Sequence, residues 1–179
     1  MSSRICGEGV LALETRIKSL ETSDWEALRE IYLEGVATRV ATFETAAPSR
    51  AEWDAGHLPC GRIGAYSLPN ERLIGWAALS SVSKRLAYIG VAEVSVYVAA
   101  AARGNGVGRA LLQALIRESE SHEIWTLQAS IFPENVASLK LHESLGFTTL
   151  GQRERISKLD GVWRNTVILE RRSKVVGID

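Results

Sequence analysis

Three glycines, Gly104, Gly106 and Gly108, stand between an apolar strand pattern and an amphipathic helix pattern. The strand reads Val91-Ala92-Glu93-Val94-Ser95-Val96-Tyr97-Val98, and the helix begins Arg109-Ala110-Leu111-Leu112. Without side chains the loop can close on a bulky anion. Its amides then join the free N–H groups and positive dipole end of the following helix. The pattern predicts a pyrophosphate cradle built from main chain; the same residues would also serve a plain flexible turn. Two other cradles are excluded. A P-loop needs Gly-Lys-Ser/Thr at its end, where Val107-Gly108-Arg109 stands. A Rossmann fingerprint belongs to the first βα unit of a long alternating chain, and this loop lies past mid-chain.

The 179 residues are 46% hydrophobic, which suits one domain with a sizeable core. We expect that domain at 15–171, between a loose arm at 1–14 and a tail at 172–179. Lys+Arg and Asp+Glu both number 21, which gives no electrostatic case for nucleic acid or an anionic membrane. Cys6 and Cys60 are too few for a disulfide framework, so a reduced, cytoplasmic setting is expected. His57 and Cys60 lack a second Cys/His pair, so no metal is expected. Val10-Leu11-Ala12-Leu13 is too short for a signal core.

Along the chain, Thr15 to Ser19 reads as a strand. Ser23-Asp24-Trp25-Glu26 reads as a capping box opening a helix through Leu28, Ile31, Tyr32 and Val36. Ser49-Arg50-Ala51-Glu52 repeats the box. Ile63–Leu68 and Leu73–Leu79 form a hairpin over Pro69-Asn70-Glu71-Arg72. After the glycine loop and its helix, Trp125–Ile131 is a strand. Asn135 opens a second helix with the stripe Val136, Leu139, Leu141 and Leu145, closed by Gly146. Thr148–Ile156 and Val162–Leu169 pair about Asp160-Gly161. This order predicts an α/β (α+β) fold, a mixed sheet of about seven strands with about four helices on both faces.

The pattern Arg/Gln-x-x-Gly-x-Gly/Ala, filled by Arg103, Gly106 and Gly108, resembles the acyl-CoA loop of the GCN5-related N-acetyltransferases, or GNAT enzymes. The acidic Glu93 in the preceding strand and the segment from Asn135 to Gly146-Phe147 match that superfamily in the right order. Within it, three segments resemble the phosphinothricin, methionine sulfoximine and arsinothricin acetyltransferase group: Thr42-Phe43-Glu44, Glu93-Val94-Ser95-Val96-Tyr97-Val98, and Leu141-His142-Glu143-Ser144-Leu145-Gly146-Phe147. The resemblance implies acetyl-CoA as co-substrate, transfer to the α-amine of a small amino-acid analogue, and a homodimer. Another amine (a polyamine, an aminoglycoside, a protein N-terminus) and a non-catalytic acyl-CoA sensor are the rival readings.

The residues then take expected roles. A carboxylate in an apolar strand needs a reason, because burial without a partner is costly. Glu93 is expected as general base for the incoming ammonium, with its pKa raised by partial burial. A salt-bridged structural Glu is the alternative. By resemblance, His142 meets the thiolate or the substrate as a general acid or orienting group. Val96, Tyr97 and Val98 offer backbone to the pantetheine arm, and Arg103, Gly104, Asn105, Gly106, Val107, Gly108 and Arg109 hold the pyrophosphate. Asn135 caps its helix and touches the CoA arm. Phe43, Val94 and Ser95 border the substrate beside Glu93. Lys84, Arg85 or both are expected to meet a substrate carboxylate or phosphinate-like anion, since Arg binds such groups bidentately; a solvated loop charge is the alternative.

Overall fold

The computed structural model describes residues 14–178. The arm expected at 1–14 lies outside them except for Glu14. One seven-stranded sheet runs through the molecule: β1 (Thr15–Ser19), β2 (Ile63–Ser67), β3 (Arg72–Ser81), β4 (Val91–Val98), β5 (Thr126–Ile131), β6 (Thr148–Leu159) and β7 (Val162–Arg172). Four α-helices join them: α1 (Trp25–Ala37), α2 (Arg50–Gly56), α3 (Val107–Ser121) and α4 (Val136–Glu143). The strand order is β1-β2-β3-β4-β5-β7-β6. All neighbours are antiparallel except β4 and β5.

The two faces of the sheet bury different sets. On one, Leu28 and Ile31 of α1 and Trp53 of α2 meet Tyr66, Leu73, Trp76 and Ala78. The indole N–H of Trp76 donates to the Leu28 carbonyl at 3.2 Å and ties α1 to β3. On the other, Leu111, Leu112, Leu115 and Ile116 of α3 cover Ala77, Leu79, Ala92, Val94 and Leu127. Alternation along β4 therefore sends Ala92 and Val94 toward α3, and Glu93, Ser95 and Tyr97 toward the α1 side.

Local chemistry explains the element ends, with two corrections. The first capping box is built two residues earlier than expected. The Glu21 and Asp24 side chains and backbones cap each other, on a short 3-10 turn at Thr22–Asp24, and not Ser23 with Glu26. The Ser49–Glu52 box forms as expected, the Ser49 amide donating to the Glu52 carboxylate at 2.8 Å. Leu139 and Leu141 of α4, and Leu145 just past its end, pack on the core, but Val136 is 51% exposed. It is the first residue after the Asn135 cap, so its side chain leaves the apolar stripe. The last strand also runs on to Arg172, and the buried Ser173 donates its amide to the Trp125 carbonyl and its hydroxyl to Glu120.

Candidate active site

The parallel pair β4–β5 is joined only at Val91↔Thr126, Ala92↔Leu127 and Glu93↔Gln128. Beyond Glu93 both strands continue and part. β4 stays paired to β3 as far as Val98, so its other edge is left open from Val94 onward. An open strand edge buried inside a protein is a row of unpaired N–H and C=O groups waiting for a partner. Two cavities occupy the gap. One, of about 340 Å³, is lined by Thr42, Phe43, Glu93, Val94, Ser95, Ser130, Phe132, His142 and Thr166, among others. The other, of about 380 Å³, runs along Val96, Tyr97 and Val98 to Arg103, Gly104, Gly106, Val107 and Gly108. They share Val40, Ala41, Val96, Tyr97, Asn135 and Ser138, so they form one continuous passage.

The second cavity ends on the glycine loop. Gly104 and Gly106 have φ of +78° and +79°, a left-handed conformation that favours glycine. No protein atom lies within 4 Å of a Cβ built at either position, so the space above them is open. Gly106 is the N-cap of α3, whose first amides face that space. This geometry fits an anionic phosphate group, and the open edge of β4 fits an extended chain laid beside it. Arg103 donates from Nε to the Val98 carbonyl at 3.1 Å and thereby ties the loop to β4. Asn105 and Arg109 do not line either cavity. Asn105 bonds the Ala102 and Arg103 carbonyls, and Arg109 donates to Ser144 Oγ at 2.8 Å.

The first cavity gathers acid–base groups. Burial raises the Glu93 carboxyl above its ordinary value, and the nearby positive charge of Arg153 partly opposes that. His142 is 4% exposed. Its Nδ1 lies 2.8 Å from the Ser138 carbonyl, so the proton must sit on Nδ1, between nitrogen and an acceptor. Burial lowers the His142 pKa and keeps the ring neutral. Its Nε2 consequently carries a lone pair, and that buried atom has no partner. In this tautomer the unpartnered Nε2 is a hydrogen-bond acceptor, since the neutral ring carries its one hydrogen on Nδ1. Thr166, 3% exposed, brings a second buried and unpartnered atom, Oγ1, to the same cavity.

The walls are aromatic. Phe43 meets Phe132 edge to face at 4.6 Å. The Tyr97 ring stacks on Trp76 at 4.8 Å and lies 4.9 Å from Tyr32. Gly35 of α1 makes room for it, since a Cβ there would come within 2.7 Å of the Tyr97 ring. Asn135 accepts the Ser138 amide as helix cap and donates from Nδ2 to the Val40 carbonyl at 3.1 Å, clamping the loop that carries Phe43.

Glu93, Val94, Ser95, His142 and Phe43 therefore converge on one cavity, and Val96, Tyr97, Val98, Asn135 and the glycine loop on its continuation. Lys84 and Arg85 do not join them. They are exposed in the loop after β3, where Arg85 lies 5.7 Å from the Tyr88 ring. Thr166 and Arg153 escaped the sequence reading, since nothing local marks a Thr in one strand as lining the cavity or the charge of an exposed Arg in another as near Glu93. Among the described residues no cluster of three or more His, Cys, Asp or Glu is placed to hold a metal ion. No described helix is long and apolar enough to cross a membrane.

Comparison with known proteins agrees with this geometry. Residues 20–147 match the model of the Acetyltransferase (GNAT) family. The chain is 33% identical to the phosphinothricin N-acetyltransferase of Alcaligenes faecalis over 87% of this chain and 81% of that protein. It is 30% identical to the L-methionine sulfoximine/L-methionine sulfone acetyltransferase of Salmonella typhimurium (strain LT2), covering 86% and 92%. Among solved structures, a GNAT superfamily phosphinothricin acetyltransferase from Sinorhizobium meliloti in complex with acetyl-CoA superposes with a TM-score of 0.78. Its sequence is 27% identical, over 92% of this chain and 96% of that one.

Proposed function

The chain belongs to the GNAT family and is an acetyl-CoA-dependent N-acetyltransferase. From that premise we propose that it acetylates the α-amine of a small amino-acid analogue of the phosphinothricin, methionine sulfoximine or arsinothricin type, with Glu93 as base, and so confers resistance to it. The observation that carries this reading is the pair of acceptors, the half-buried Glu93 carboxylate and the buried His142 Nε2, lining one aromatic-walled cavity where β4 and β5 part. The names of the relatives supply the substrate class.

Acetyl-CoA supplies the activated acetyl group; the residues do the rest. Gly104, Gly106 and the first amides of α3 hold its phosphates, and the free edge of β4 at Val96–Val98 holds its extended arm. An α-ammonium has no lone pair and has to lose a proton before it can react. The Glu93 carboxylate takes that proton, and its raised pKa narrows the gap to the amine. His142 Nε2 accepts a second hydrogen bond from the same nitrogen and so fixes its direction. Burial holds the Tyr97 phenol protonated, and with Phe43 and Phe132 it forms the dry side of the cavity. We also read the enzyme as a cytoplasmic homodimer. Supporting the dimer, Leu150, Ile156, Val162 and Trp163 are exposed apolar residues on the β6–β7 hairpin.

The test is a substrate panel followed by free-thiol release. Phosphinothricin, methionine sulfoximine and arsinothricin should outperform spermidine and kanamycin. Glu93→Gln keeps the shape and removes the basic site, and should lower kcat roughly 10²- to 10⁴-fold at neutral pH. Its rate should recover as pH rises and free amine accumulates. A polyamine or aminoglycoside as best substrate refutes the substrate class, and wild-type turnover in Glu93→Gln refutes the base.

A further inference from the structure

Thr166 buries a hydroxyl in the acceptor cavity with nothing to bond. Such a group is destabilising in the free protein unless a ligand uses it. Directly across the hairpin stands Arg153, the register partner of Thr166. Residues paired across antiparallel strands project from the same face, so the exposed Arg153 stands on the face of the sheet that carries Thr166, outside the lining of the cavity and within reach of its rim. Just beyond, the register breaks from Arg153↔Thr166 to Ser157↔Arg164, and Arg155 takes a φ of +47°. A bulge of this kind re-aims the side chains next to it.

Two nearby cations are engaged elsewhere. Arg164 pairs with Glu134 at 3.2 Å and lies over the Phe132 ring, and Arg39 pairs with Asp160 at 3.3 Å. Among the described residues Arg153 makes no ion pair and no side-chain hydrogen bond, yet its charge is felt at Glu93.

We propose that Arg153 and Thr166 together read the α-carboxylate of the acceptor substrate. An α-amino acid carries its ammonium and its carboxylate on one carbon. A cavity that takes the ammonium at Glu93 and His142 must offer donors next to them, or the substrate anion meets only the Glu93 carboxylate and is repelled. The Arg153 fork and the Thr166 hydroxyl supply those donors. Lys84 and Arg85, outside the cavity, do not. The inference rests on the amino-acid reading above.

The experiment measures KM and kcat of wild type, Arg153→Ala, Arg153→Lys and Thr166→Val. The substrates are phosphinothricin, with an anionic head, and methionine sulfone, with a neutral one, each as free acid and as α-carboxamide. Losing Arg153 should raise KM for both free acids roughly ten- to hundredfold, much more than it lowers kcat, and should move the carboxamides far less. Lysine should restore part of the loss. Thr166→Val should raise KM for the acids several-fold while Tm holds or rises, because valine keeps the strand shape and removes the unpartnered hydroxyl. If Thr166 were purely structural, Tm would fall as KM rose. Acetyl-CoA affinity by calorimetry should not change in any variant. Equal effects on acid and carboxamide, or none, overturn the proposal. A loss confined to phosphinothricin also overturns it and assigns the pair to the side-chain oxyanion. If the wild type acetylates neither amino acid, the substrate reading itself has failed, which is a separate result.

Discussion

Gly106 allows a sharp test of the cradle, because the structure supplies its own control. Gly106 has φ +79° with open space where a Cβ would stand. Gly161, at the β6–β7 turn, has φ +80° and equally open space. It does not line either cavity. Alanine at either position meets no protein atom, so its cost is the left-handed backbone alone, about 1–2 kcal/mol. For a chain of this size that is a Tm loss of roughly 2–8 °C. The two variants should therefore lose similar stability by scanning calorimetry. Their ligand binding should differ. The methyl of Gly106→Ala, and more so the branched side chain of Gly106→Val, occupies the space above the first amides of α3. Acetyl-CoA affinity by isothermal titration should fall at least about tenfold, worth about 1.4 kcal/mol, in the valine variant. Gly161→Ala should bind as wild type does. Unchanged affinity in a folded Gly106→Val, or an equal loss in Gly161→Ala, would refute the assignment of this loop as the phosphate cradle.

Gly35→Ala should fail sterically. Its Cβ would come within 2.7 Å of the Tyr97 ring, which Trp76 and Tyr32 hold in place. Overpacking of about 1–3 kcal/mol should outweigh the roughly 0.5–1 kcal/mol gained in helix propensity, so denaturant unfolding should show a net loss; a more stable variant refutes it. His142 should leave a mark on stability against pH. Its folded pKa is lowered, so the unfolded chain binds more protons between that value and the ordinary histidine value of about 6.5, and stability falls as pH drops through this window. His57, also lowered by burial, adds the same sign. Glu93, raised, binds more protons when folded and acts oppositely, losing stability as pH climbs above the ordinary carboxylate range. Tm of His142→Gln between pH 5 and 7 should vary less than that of wild type; an unchanged slope would mean that the ring is not held neutral by the fold.

How much of this was legible before the fold follows from the range of each signal. The glycine loop, the Ser49 cap, the Asp160-Gly161 turn and the alternation of β4 are local, written within a few consecutive residues, and each forms where the sequence places it. Glu93 stood out because a carboxylate in an apolar strand needs a cause, and Gly104 and Gly106 because a left-handed backbone needs glycine. The sequence by itself thus determined the element order and the mixed sheet, and it picked out the residues proposed as the co-substrate loop and the base.

Only the tertiary structure decided how those pieces meet. The parting of β4 from β5 after Glu93 depends on strands separated by helix α3, and no local pattern marks where a parallel ladder stops. The tautomer of His142 depends on burial by its surroundings as much as on the Ser138 carbonyl one turn away. Lys84 and Arg85 have the right charge for a substrate anion, but their loop leaves the sheet away from the cavity. Arg153 and Thr166 had no signal at all along the chain. They are neighbours because a hairpin register pairs them, and they come onto one sheet with Glu93 because β7 and β5 join β6 to β4. Charge and side-chain type are properties of a residue, whereas what a residue faces is set by long-range pairing, and the acceptor end of this site is made almost wholly of the second kind.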